Sequence, residues 1–139
     1  MTLELQATPA EVMRAVEALQ EFGHAKRIPE KALFGLALAL EESASNIVNH
    51  ALRRDAQQRF LVRIEYGGDV LALELRDQGP AFDPTQVTVS PRTGPDEQPA
   101  GGWGIELVRR YIDEVRYTRE GVENVLRLTK RLNESDGSG

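Results

Sequence analysis

The eleven residues "LEESASNIVNH", Leu40 to His50, set two carboxylates, two serines, two asparagines and a histidine into what otherwise reads as a buried helix. Glu42, Asn46 and His50 are spaced i, i+4, i+8, which on a helix places them on one face, flanking the apolar stripe rather than opposing it. A carboxylate and a carboxamide one turn apart suit a metal–phosphate site. The Asn46 carbonyl oxygen can ligate Mg²⁺, which prefers oxygen donors and keeps several waters. The Glu42 carboxylate can take a proton from an attacking hydroxyl or water. Taken alone, the same spacing also describes the solvated side of an ordinary helix.

Two further stretches bear on this chemistry. In "LRDQGPAFDP" a strand ends at Arg76, and Asp77 is followed two residues later by Gly79. An ionised carboxylate there can accept from the exocyclic amine of adenine, and Gly79 lets backbone come close to a ring. An Asp/Gly turn is the plainer reading. In "GGWGIELVRR", Gly101, Gly102 and Gly104 stand where a long loop enters a helix. Free amides at a helix N-terminus can cradle phosphate. No Lys-Ser/Thr follows, so this is not a Walker loop; a hinge is the plainer reading.

The elements that must hold these residues follow from periodicity. Residues 3–7 suit a short strand. Thr8 is a good N-cap, Pro9 fits a first turn and Glu11 completes a capping box. Val12, Val16, Leu19 and Phe22 give that helix its apolar stripe, and Gly23 is a plausible stop. A second helix is expected from near Pro29 to about Arg53, with Ala37, Leu40, Ala44, Ile47, Val48 and Ala51 facing inward. "RFLVRIEY" and "VLALELRD" alternate as strands about a Gly67-Gly68-Asp69 turn. Residues 80–102 form a loop dense in proline and glycine. A loop of that length in a compact domain is usually a lid, a binding loop or disordered. A helix from about Gly104 uses Ile105, Val108 and Ile112, and strands near 115–119 and 122–132 close the chain around Glu120-Gly121. "NESDGSG" reads as a disordered tail. The expected class is α+β, an antiparallel or mixed sheet with helices on one face.

Bulk composition narrows the function. The chain of 139 residues suits one domain, with 17 Lys+Arg against 22 Asp+Glu and a formal net charge of -5. That balance speaks against non-specific nucleic-acid or anionic-membrane binding. With no cysteine, disulfides, thiolate metal sites and cysteine nucleophiles are excluded. No stretch approaches a membrane span, and "MTLELQATPA" lacks the basic-then-apolar plan of a secretory signal, so a cytoplasmic location is expected.

Together, Glu-x-x-x-Asn on a helix, Asp-x-Gly after a strand and Gly-x-Gly at a loop–helix junction resemble the N, G1 and G2 boxes of the GHKL (HATPase_c) ATPase superfamily. "LALALEESASNIVNHAL", "DQGPAFDP" and "GGWGIELVRRYIDEVRY" look most like the RsbW/SpoIIAB-type anti-sigma-factor serine/threonine kinases, and the likeness runs to the closing "VLRLTKRL". It implies a two-layer α/β sandwich over residues 1–132, with a mixed, mostly antiparallel sheet, a mobile ATP lid at about 84–101, and a tail at 133–139. It makes Glu42 the general base, Asn46 the Mg²⁺ ligand, Asp77 and Gly79 the adenine contacts, and Gly102 and Gly104 the phosphate-loop glycines. Two positions depart from the pattern. Ala81 stands where many members have a second glycine, and Asn124 takes the place of an adenine-facing threonine, so it too is expected to bind the nucleotide. His50 fits a helix brace better than a phosphate contact.

The implied activity is transfer of the γ-phosphoryl of ATP, with Mg²⁺, to a small anti-anti-sigma-like protein. The enzyme would alternatively grip a sigma factor, and would work as a homodimer without nucleic acid or membrane. Two other readings stay open: a nucleotide-gated module that sequesters a partner without chemistry, and a histidine-kinase-like ATPase domain acting in trans. Glu42 favours chemistry over sequestration. Against the second, the sequence lacks a dimerisation hairpin with an acceptor histidine; His24 sits in the helix-ending context "FGHAKR".

Overall fold

A computed structural model describes residues 1–86 and 108–132. Strand β1 (Thr2–Gln6) leads to helix α1 (Pro9–Ala25) and helix α2 (Glu30–Asn46), which runs on into one turn of π-helix (Ile47–Ala51). Strands β2 (Arg59–Gly67) and β3 (Val70–Asp77) form a hairpin, and β4 (Glu114–Glu120) and β5 (Glu123–Arg131) form another. Among the described residues the sheet order is β1-β2-β3-β5-β4 and every pair is antiparallel. This is simpler than the mixed sheet implied by the resemblance. The α+β class holds as expected.

The order has one consequence for the site. Because β5 inserts between β3 and β4, the end of β3 lies against the start of β5, and Asp77 pairs in register with Asn124. Both residues share the inner face with Phe60, Val62, Leu73, Leu75, Leu126 and Leu128. That face and the inner sides of α1 and α2 form one continuous core. The opposite face is polar and paired. Arg76 bonds Glu74, Glu120 and Glu123 at 2.9, 3.2 and 3.0 Å, and Arg127 bonds Glu65 at 2.9 Å.

Local chemistry explains most boundaries. Thr8 Oγ1 accepts from the Glu11 amide, but Glu11 reaches past Thr8 and accepts from the Gln6 amide. Arg14 ties that carboxylate to the Glu4 carbonyl, so the outward-facing groups of edge strand β1 are partly covered. Gly23 does not stop α1, which continues to Ala25. A Cβ at Gly23 would lie 2.5 Å from Leu33 Cδ1, so the glycine lets α1 and α2 approach closely. Arg27, with φ of 58°, takes the left-handed turn after the helix. The lid expected at about 84–101 lies, from residue 87 onward, outside the described residues. So do Gly102, Gly104, the helix start expected at about Gly104 and the 133–139 tail.

Candidate active site

The polar stretch of α2 is divided by a change of helix type. Glu42 and Asn46 lie on regular α-helix, one turn apart, so both project from the same face. His50 lies beyond, in the π turn, and is exposed. The expected three-residue stack therefore ends at Asn46. In the π turn the Leu52 amide donates to the Ile47 carbonyl at 2.8 Å, five residues back, and single π turns inside α-helices often mark functional sites. The left-handed Arg53 and Arg54 (φ 51° and 57°) then turn the chain away.

That wide turn brings the end of the helix onto the Asp-x-Gly turn. A Cβ at Gly79 would stand 2.7 Å from the Ala51 carbonyl oxygen and 2.9 Å from Ala51 Cβ. The glycine is thus required by backbone packing, before any ring is considered. Asn46 at the helix end and Asp77 at the strand end come to line one recess, together with Ser43, Phe82, Tyr117 and Asn124. Its empty volume is about 370 Å³, including the part open to solvent. Ile47, Leu75 and Leu126 supply apolar wall.

Asp77 is 4% exposed, and among the described residues only one of its oxygens is used. Oδ1 accepts from the Gly79 amide at 2.8 Å and from Asn124 Nδ2 at 3.0 Å. Oδ2 has no hydrogen-bond partner among the described residues. A buried, unsatisfied carboxylate oxygen is costly and points to a missing donor. Asn124, 5% exposed, is the opposite case. Its amide nitrogen donates to Asp77 and to the Pro80 carbonyl at 3.0 Å, with a longer approach to the Gly79 carbonyl at 3.4 Å. Its oxygen accepts from the Phe82 amide at 3.2 Å and from the Tyr117 hydroxyl. Arg119 Nη1 also donates to the Gly79 carbonyl at 2.8 Å.

Glu42 is half-buried, with no hydrogen bond or ion pair among the described residues. Burial pushes its carboxyl above the usual glutamate range, the neighbouring charge of Glu41 adds to this, and His50 partly opposes it. A carboxylate raised in this way is a better proton acceptor. The Asn46 side chain likewise makes no hydrogen bond among the described residues, which leaves its carbonyl oxygen free. These groups fit a nucleotide: an unmet acceptor between apolar walls for a base, and a free amide oxygen beside it. No cluster of three or more His, Asp or Glu stands ready for a metal among the described residues. A cation at Asn46 would take most of its oxygens from phosphate and water.

A family model described as the histidine kinase-like ATPase domain matches residues 5–130. The chain belongs to this family. Within it, the chain is 32% identical over 130 residues to the serine/threonine-protein kinase BtrW of Bordetella bronchiseptica, covering 92% of this chain and 91% of that one. It is 29% identical over 142 residues to the serine-protein kinase RsbW of Listeria innocua, covering 96% and 88%. It shares its fold with a crystal structure of the RsbU and RsbW domains of a Mycobacterium tuberculosis protein, at TM-score 0.67 and 18% identity. That alignment covers 95% of this chain and 32% of the solved one, so the chain spans about a third of that protein. The histidine kinase-like ATPase membership, of RsbW type, agrees with the motifs at Glu42, Asn46, Asp77 and Gly79. No helix among the described residues is long and apolar enough to cross a membrane.

Of the expected site residues, Asn46, Asp77 and Asn124 line the recess. Gly79 packs against Ala51 beside it, and Glu42 sits one helical turn before Asn46. Tyr117 was not singled out by sequence reasoning. The signal was present: "EVRYTRE" alternates Val115 and Tyr117 against charged residues, which places Tyr117 on the inner face of a strand.

Proposed function

We propose that this chain is an ATP-dependent serine/threonine protein kinase of the anti-sigma-factor type, a cytoplasmic partner-switching regulator of transcription. It would phosphorylate a small anti-anti-sigma-like protein and alternatively hold a sigma factor. The names of BtrW and RsbW support the kinase reading. The homodimer and the sigma-factor partner rest on the resemblance.

The observation that carries the chemistry is Glu42. It is half-buried, without a structural partner among the described residues, and raised above the ordinary glutamate range one turn from Asn46. A module that only sequesters a partner has no use for such a group. In this reading Asp77 Oδ2 accepts from the adenine amine, and the apolar wall of Ile47, Leu75 and Leu126 receives the ring. Asn46 would hold Mg²⁺ through its amide oxygen, and by the resemblance Gly102 and Gly104 would offer amides to phosphate. Bound ATP–Mg²⁺ supplies an activated γ-phosphoryl group whose charge the metal neutralises. Glu42 takes the proton of the acceptor hydroxyl as its oxygen bonds the γ-phosphorus and the bond to the β-phosphate bridging oxygen breaks, releasing ADP.

The test is incubation with γ-labelled ATP and a candidate small protein that bears a serine acceptor. Label on a serine or threonine of that protein is the expected result. Stable label on His24 or His50 would replace the reading with histidine-kinase chemistry, and no label with tight ATP-dependent binding would favour the sequestering module.

A further inference from the structure

Asn124 was expected to touch the nucleotide, yet the protein itself consumes its hydrogen-bonding capacity. A carboxamide has two N–H donors and two acceptor lone pairs. Here the donors go to Asp77 Oδ1 and the Pro80 carbonyl, and the lone pairs go to the Phe82 amide and the Tyr117 hydroxyl. The orientation of the amide is fixed by its neighbours. The Phe82 amide can only donate, whereas the Asp77 carboxylate and the Pro80 carbonyl accept, so a flipped amide would fail at all three.

Two consequences follow for the recess. Asp77 cannot rotate to share its oxygens, because Oδ1 is held from both sides by Asn124 and the Gly79 amide, and Oδ2 alone remains. Tyr117 spends its only proton on Asn124, so its oxygen is left as an acceptor. The polar groups of this wall therefore accept and do not donate. A purine with a 6-amino group satisfies it, and a purine with a 6-oxo group sets oxygen against oxygen.

We propose that Asn124, together with Tyr117, is a positioning pair that sets the purine selectivity of this site, locking Asp77 as a single-oxygen acceptor that takes a 6-amino purine and refuses a 6-oxo purine. The inference rests on the nucleotide reading above and adds to it a role for two side chains that do not themselves hold the base.

The experiment compares affinity for ATP and for inosine triphosphate, which carries an oxo group in place of the 6-amine, by calorimetry with Mg²⁺. The proteins are wild type, Asn124→Ala, Tyr117→Phe and Asp77→Asn. Wild type should prefer ATP by at least about tenfold, the scale of one charge-assisted hydrogen bond. Asn124→Ala should cut that preference by roughly tenfold, close to the loss in Asp77→Asn. Tyr117→Phe, which keeps the ring and leaves Asn124 held by Asp77, the Pro80 carbonyl and the Phe82 amide, should cut it by roughly two- to fivefold with its melting temperature nearly unchanged. If Asn124→Ala does not fold, the Tyr117→Phe ratio decides alone. An unchanged ATP-to-inosine-triphosphate ratio in the folded variants, with both affinities reduced alike, would overturn the inference and make the pair a structural brace. Failure of the wild type to bind ATP at all would overturn the nucleotide reading beneath it.

Discussion

The two ends of the recess are built in opposite ways. At the β3–β5 end, Asp77, Asn124, Tyr117 and the Gly79 turn form an interlocked network with one carboxylate oxygen left over. At the α2 end, Glu42 and Asn46 make no hydrogen bonds among the described residues. The first end is held by its own hydrogen bonds, and such preorganisation suits recognition of a flat base. The second end holds its polar groups in reserve, which suits a metal, phosphates and a proton transfer that exist only in the complex. The outer face of the sheet is a third case, in which charges are paired with one another.

Breaking the open end should have the largest effect. Glu42→Gln keeps shape and loses the base, so phosphoryl transfer should fall by roughly 10²–10⁴-fold in single-turnover assays while ATP affinity stays near wild type. Breaking the rigid end should act on binding instead. Asp77→Asn should cost about 1.5–3 kcal/mol in ATP affinity by calorimetry, and equal affinity would refute the adenine contact. Gly79→Ala should destabilise the fold by about 1–3 kcal/mol in urea melts, because its Cβ meets the Ala51 carbonyl at 2.7 Å. A melt unchanged by that substitution would mean that the helix end and the turn are not packed together. On the outer face, Glu65→Gln should shift stability by less than about 1 kcal/mol and leave ATP binding untouched.

The open end also carries a stability signature. The carboxyl of Glu42 titrates higher in the folded chain than in the unfolded one. The folded state therefore binds more protons, and the contribution of Glu42 to stability falls as pH rises from the ordinary glutamate range through its raised value. Glu42→Gln should remove that fall, so the variant melts higher relative to wild type at neutral pH than at pH 4. The opposite order would mean that Glu42 has a stabilising partner.

Much of this was legible in the sequence. The helical stripes and strand alternation placed α1, β2, β3 and β5 within a few residues, and the spacing of Glu42 and Asn46 is that of the structure. What escaped depends on contacts between distant segments. Gly23 reads locally as a helix stop, and its reason, Leu33, lies on the next helix. The π turn at Ile47–Ala51 leaves no mark on a 3.6-residue apolar pattern, which runs on as a plain helix to about Arg53. Gly79 could be read for a ligand but not for Ala51. The role of Asn124 needed the β3–β5 register, since only then do Asp77, Pro80, Phe82 and Tyr117 converge on one amide.

The central claim is that the unpartnered Glu42 is the base of a phosphoryl transfer. Its most direct test is the pH dependence of single-turnover transfer to the serine-bearing partner, with saturating ATP–Mg²⁺, in wild type and Glu42→Gln. The expected result is a rate that rises with pH through a single titration above the ordinary glutamate range in the wild type, and a low rate without that titration in the variant. A Glu42→Gln rate equal to wild type across the same range would contradict the claim.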